Sequence, residues 1–155
     1  MKKFKIAILS LVLVMTTNFM SAQTAPVETV KIANGGFDLV AYFTENHATT
    51  GNYAFAVDLD GVKYLFSSKE HQEAFKANPD KFMPQCDGFC AWGIAEKGTK
   101  FSVNPETFKV VNGKLYLFFN GDFKGSPFNT LTEWNKDEKS LLGKLPKTWE
   151  QAKKQ

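Results

Sequence analysis

Apolar and polar positions change period several times along the chain, and each change marks an element. Residues 37–43 (Phe-Asp-Leu-Val-Ala-Tyr-Phe) are almost wholly apolar and must be buried. Gly35-Gly36 before them permits a tight bend, and Asp38 is placed to cap a short helical turn. After a polar loop at 44–52, Tyr53, Phe55, Val57 and Leu59 alternate with smaller or polar residues, as on one face of a strand. Asp60-Gly61 is a two-residue hairpin turn, and 62–66 returns as the partner strand. Ser67 with Glu70 three residues later forms a capping box, which predicts a helix over 68–78 stopped by Pro79. Its apolar stripe is Ala74 and Phe75, and His71 falls on the same face.

Pro84 and Gly88 break the next stretch, so the chain turns sharply and enters a helix near Phe89. Ala91, Trp92, Ile94 and Ala95 carry that helix on until Gly98 ends it. Segments 108–111 and 114–119 flank Asn112-Gly113, the best hairpin signal in the chain. Residues 120–129 contain glycine and proline and read as a loop. Segment 130–142 predicts a helix with Leu131, Trp134, Leu141 and Leu142 inward, and 146–154 a last, fraying helix anchored by Trp149. No internal repeat is read, because the segments after the two hairpins differ too much. The pattern gives an α+β fold: a small antiparallel sheet of two β-hairpins packed with three to four helices in a single domain.

The first residues change the picture of charge and compartment. Lys2, Lys3 and Lys5 precede a ten-residue apolar run at 6–15, too short to span a membrane, and Ser21-Ala22 offers a small-residue cleavage point. The expected organisation is a signal peptide at 1–22, a flexible segment at 23–34 and the domain at 35–155. The mature chain is then periplasmic or secreted. The whole sequence has 19 basic and 16 acidic residues; without the leader, sixteen of each remain. No arginine occurs. A near-neutral chain without bidentate guanidinium groups argues against nucleic acid or anionic lipid as partner. No stable membrane insertion is expected, and the chain reads as a monomer. Export also places Cys86 and Cys90 in an oxidising compartment.

Four segments in order resemble the YHS-domain proteins, in particular their small exported members. These are Gly36-Phe37-Asp38-Leu39-Val40-Ala41-Tyr42-Phe43; then Val62 to Ser68 with Phe75, Asn78-Pro79 and Phe82; then Pro84-Gln85 through Gly88-Phe89-Cys90-Ala91; and Asn112-Gly113 to Leu117. The resemblance spans about 35–120. It implies a strand–helix core of the YHS type and an association with metal handling. Ser67 and His71 stand where metal-associated versions of the domain carry cysteines, and Cys86 stands where an aromatic residue is common.

The candidate chemistry lies at Cys86 and Cys90. Four residues apart, two sulfurs on one helical face can share a metal ion, and His71 from the preceding helix would add an imidazole. Three soft-leaning donors suit Cu(I) first and zinc second, with Met83 as a further thioether ligand. Metal ligands are therefore expected at Cys86, Cys90, His71 and Met83, in an exported soft-metal-binding protein whose partners are the metal ion and a periplasmic protein. An alternative is a non-catalytic module in which Cys86 and Cys90 form a disulfide and an aromatic groove meets a protein or small molecule. A third reading is a thiol enzyme with His71 as base to Cys90, although no orienting residue or oxyanion donor is apparent. No catalytic residue is assigned. His47 reads as solvated. Trp92, Trp134 and Trp149 read as core, or as the wall of a ring-lined ligand pocket.

Overall fold

The computed structural model describes residues 30–155; the expected leader and residues 23–29 lie outside them. The α+β architecture is present. A short strand β1 (Lys31–Ile32) leads to helix α1 (Ala41–Thr44). A hairpin of β2 (Asn52–Leu59) and β3 (Val62–Phe66) follows, then helices α2 (Lys69–Ala77) and α3 (Pro79–Phe82). Helix α4 (Ala91–Lys97) precedes a second hairpin of β4 (Asn104–Val111) and β5 (Lys114–Phe118). A third hairpin, β6 (Asn120–Phe123) and β7 (Ser126–Asn129), comes before α5 (Thr130–Lys136) and α6 (Glu138–Ala152). Each hairpin forms its own sheet, and β1 joins the first by pairing parallel with β3.

The chain repeats itself with a shift of 52 residues. In the first half Asn52 pairs with Phe66, a bulge intervenes, and Ala56 pairs with Leu65; in the second Asn104 pairs with Phe118, a bulge intervenes, and Phe108 pairs with Leu117. Ile32 meets Lys63 in parallel, and Pro84 meets Leu115 in the same way. The loop bonds repeat too. Asp38 N donates to Thr49 O at 2.8 Å, and Cys90 N to Phe101 O at 3.1 Å.

Backbone handedness gives the sharpest match. Among the described residues, Asn34, Gly35, Gly36, Asn46, Asp60 and Gly61 have positive φ, and so do Cys86, Asp87, Gly88, Gly98, Asn112 and Gly113. The only two left over are Lys124 and Gly125, which form the turn of the third hairpin. Sequence identity across the halves is sparse but sits at the structural positions: Gly36-Phe37 with Gly88-Phe89, Asn52 with Asn104, and Tyr64-Leu65-Phe66 with Tyr116-Leu117-Phe118. The expectation of no internal repeat is therefore corrected. What masked it is the β6–β7 hairpin, inserted between strand and helix in the second half only.

Two cores result, and β5 divides them. Its side chains alternate across the strand. Leu115 and Leu117 enter a core with Leu39, Val40, Tyr42, Phe66, Phe75 and Phe82, whereas Tyr116 and Phe118 enter one with Ile94, Trp134 and Leu141. The aromatic centres correspond: Phe75 lies 5.0 Å from Tyr64 and 4.9 Å from Phe66, and Trp134 lies 5.7 Å from Tyr116 and 5.4 Å from Phe118. Fully burying such a side chain contributes about 1.5–3 kcal/mol. Tyr42 ties the halves together. Its hydroxyl donates to Pro105 O at 2.8 Å and its ring meets Phe108 edge-on at 4.6 Å.

Several local expectations need revision. Residues 31–34 are part of the fold, as β1 and the turn after it. Tyr53 is 63 % exposed, because the bulge after Asn52 breaks the alternation expected of β2. The cap of α2 is Ser68, whose side chain accepts from His71 N; Ser67 bonds elsewhere. The stretch 120–129 is a hairpin, not a loop. The helix expected at 130–142 breaks at Asp137, and α6 then runs straight through Pro146. An interior proline costs about 3 kcal/mol. Burial of Leu141, Leu145 and Ala152 against the second core offsets it.

Candidate functional site

Asp38 organises the first half. Its side chain is fully buried, and Oδ1 accepts from the N–H groups of Val40 at 2.8 Å and Ala41 at 3.3 Å, capping the turn as its position predicts. Oδ2 accepts from Ser67 N at 2.8 Å, Ser67 Oγ at 2.7 Å and Nδ1 of His71 at 2.7 Å. The carboxylate thus sets the imidazole tautomer, with the proton on Nδ1. Nε2 then faces Thr44 Oγ1 at 3.2 Å and Glu45 Oε1 at 3.8 Å. Thr44 Oγ1 also lies 3.1 Å from Val40 O, and its single proton serves either that carbonyl or Nε2.

The cysteines lie in the second half, away from this cluster. Cys86 and Asp87 both adopt left-handed backbone, followed by Gly88 at φ 80°. Such runs are strained for residues with a Cβ, and they commonly mark sites where the surroundings impose a shape. Cys86 is buried among Ala91, Ile94 and Tyr116. Burial pushes its thiol up from 9.0 to about 12, with smaller contributions from Asp87 and Cys90. Cys90 is the N-cap of α4, and its sulfur accepts from Gly93 N at 3.4 Å and lies 3.2 Å from Thr130 Oγ1. Both are free thiols.

The convergence expected of His71, Cys86, Cys90 and Met83 is absent. Among the described residues no three His, Cys, Asp or Glu side chains form a group able to hold a metal ion. His71 is turned to Asp38, 33 residues back, and not to the sulfurs. Met83 packs against the first core and lines a cleft of about 480 Å³ with Asn34, Tyr64 and Pro84. For the thiol-enzyme reading, the base is likewise missing beside Cys90.

A concave feature larger than that cleft lies elsewhere in the second half. A cavity of about 720 Å³ lies between α4, the loop after it and the inserted hairpin, lined by Trp92, Lys97, Phe101, Ser102, Phe119, Asp122, Phe123, Phe128 and Thr130. Trp92 and Phe128 meet edge-on at 5.6 Å, Phe123 and Phe128 stand 5.9 Å apart, and Phe119 and Phe123 6.4 Å. Phe123 is 45 % exposed at the mouth. At the floor, Thr130 is 2 % exposed; its hydroxyl accepts from Phe119 N at 2.9 Å and donates to Phe119 O at 3.0 Å. Cys90 lies directly behind it. Five rings facing solvent-accessible space in 120–129 and its surroundings carry a cost that water-soluble folds seldom accept without use. The sequence signals are Trp92, read as core or as the wall of a ring-lined pocket, and the recurrence of phenylalanine at 119, 123 and 128 in a stretch otherwise polar.

No protein-family model, curated protein or solved structure matches this chain.

Proposed function

We propose that this chain is a non-catalytic binding module that takes up an apolar, ring-bearing small molecule beneath the β6–β7 hairpin. One observation carries the reading: the ring-lined cavity of about 720 Å³, within the size range of small-molecule sites and walled on one side by Asp122, Phe123 and Phe128 of an insertion that the first half lacks. Its walls have the usual composition of such sites, mostly aromatic with a few polar groups, here Ser102, Thr130, Lys97 and Asp122. The leader at 1–22 supports work in the periplasm or outside the cell, and the resemblance to exported YHS-domain proteins is compatible with it. Calorimetric titration with a naphthalene-type probe tests the reading. Saturable one-to-one binding is expected, weakened at least about tenfold by Phe128→Ala, which removes a ring from the centre of the wall. Unsaturable uptake, or equal affinity in that variant, would overturn it.

A soft metal held by Cys86 and Cys90 alone is the second reading. Both thiols are free, and they are close enough for charge on Cys90 to raise Cys86. Burial that disfavours the Cys86 thiolate works against it, because the thiolate is the ligand. Retention of one equivalent of Cu(I) that is lost in Cys90→Ser and unchanged in His71→Ala would favour this reading over the first.

A further inference from the structure

The acid–imidazole cluster and the aromatic cavity occupy the same place in the two halves. Moving the cavity residues Lys97, Phe101 and Phe119 back by 52 positions gives Glu45, Thr49 and Ser67. These are the residues around His71: Glu45 Oε1 is 3.8 Å from Nε2, Thr49 Oγ1 donates to Glu45 Oε2 at 2.7 Å, and Ser67 donates to Asp38. Asp38 itself corresponds to Cys90. In the first half hydrogen bonds fill the space. In the second, rings replace the two hydroxyls, the hairpin is added, and the space opens as a cavity. The charge at the helix end also reverses, from Glu45 to Lys97.

The charges that remain discriminate between ligands. Asp122 keeps its charge, and its carboxylate is held on the hairpin turn, where Oδ1 accepts from Gly125 N at 2.9 Å. Lys97 has no carboxylate partner among the described residues; its Nζ rests 5.4 Å from the centre of the Trp92 ring. An unpaired ammonium beside an aromatic wall favours an anion attached to an apolar body. Carbonyls at the end of α4 would oppose an anion there. Part of that charge is already met, since Gly98 N donates to Ile94 O at 3.0 Å, Thr99 N to Gly93 O at 3.2 Å and Thr99 Oγ1 to Lys97 O at 3.2 Å.

We infer that the cavity selects an aromatic carboxylate, its rings against Trp92, Phe123 and Phe128 and its acid group on Lys97. This rests on the cavity being a ligand site. The test compares 2-naphthoate with 2-naphthalenemethanol, which share a ring body and differ in charge, by calorimetric titration of the full chain. The naphthoate binds about fivefold more tightly at low salt. That advantage shrinks as salt rises. Lys97→Gln abolishes the advantage, because it weakens the naphthoate more than the alcohol. Equal affinities in the unmodified protein, or a difference that survives Lys97→Gln, overturn the ligand class while the cavity still binds. Binding of neither compound removes the cavity reading itself.

Discussion

Asp38 and Cys90 hold the same position in the two halves, each preceded by a left-handed three-residue run and a phenylalanine, and each accepting a hydrogen bond from the helix that follows, from Ala41 N and Gly93 N respectively. The chemistry at that position sets the character of each half. A carboxylate that can accept several bonds at once gathers Ser67 and His71 into a cluster. A thiol accepts weakly, so the second half delegates the bond from residue 119 to the hydroxyl of Thr130. The freed surroundings become apolar.

Asp38 is accordingly the residue whose loss costs the first half most. Asp38→Ala leaves the donors of Val40, Ala41, Ser67 and His71 facing a dry void. With two side-chain and three backbone donors losing a charged acceptor, the expected loss is about 3 kcal/mol or more. His71→Ala removes one bond and should cost about 1–2 kcal/mol. Urea unfolding measures both. A loss below about 1 kcal/mol for Asp38→Ala would mean the carboxylate is not the clamp.

The repeat also shows where the second half is strained. Asp87 has φ 51°, and the equivalent residue in the first half is Gly35. Left-handed backbone costs a residue with a Cβ about 1–2 kcal/mol, somewhat less for aspartate. Glycine's extra freedom in the unfolded chain offsets about 0.5–1 kcal/mol of the gain. Asp87→Gly should therefore be neutral to about 0.5 kcal/mol more stable, whereas a glycine placed at a standard helical position destabilises. A clear loss on denaturant unfolding would show that the Asp87 side chain holds the turn.

Much of the fold was legible because its turns carry their own chemistry. Asp60-Gly61, Asn112-Gly113, Pro79 and Gly98 each do what their residue types dictate, and they set both main hairpins and two helix ends. The repeat was not legible, since only backbone handedness and a few aromatic positions preserve it. The third hairpin was hidden because its turn is Lys124-Gly125 and Pro127 argues against a strand. Helix α6 passes Pro146 because tertiary packing outweighs local propensity. For the site, cysteine spacing suggested convergence with His71, but spacing says nothing of which way a distant imidazole faces. Asp38, distant in sequence, decides that.

Cys86 makes stability depend on pH at the alkaline end. Its thiol is pushed up to about 12 in the folded chain against 9.0 otherwise. Below 9.0 both states keep the proton and the thiol contributes no pH dependence. Between 9.0 and about 12 the unfolded chain releases the proton while the folded chain retains it, so stability falls as pH rises. Cys86→Ser should flatten that decline relative to the parent when unfolding is followed from about pH 9 to about pH 11. In the same range the folded protein should react slowly with iodoacetamide at Cys86, and quickly once urea is added. Rapid labelling without denaturant would contradict the burial.

Gly93 and Phe101 form a pair adapted to one another. A Cβ at Gly93 would lie 2.3 Å from Phe101 Cδ2 and 3.2 Å from Thr99 O, so Gly93→Ala forces the ring away from the helix and into the cavity. The expected cost is about 1–3 kcal/mol, with weaker binding of a naphthalene probe. The first half solves the same contact differently, with Ala41 on the helix and Thr49 in the loop. Converting both positions, as Gly93→Ala with Phe101→Thr, should thus recover stability that Gly93→Ala alone loses. A coupling of at least about 1 kcal/mol is expected from the double-mutant cycle. The double variant should nevertheless bind the probe poorly, because one of the cavity's five rings is gone. Additive losses in the cycle would mean that the two halves pack α1 and α4 by unrelated contacts, and that their shared backbone does not extend to shared packing.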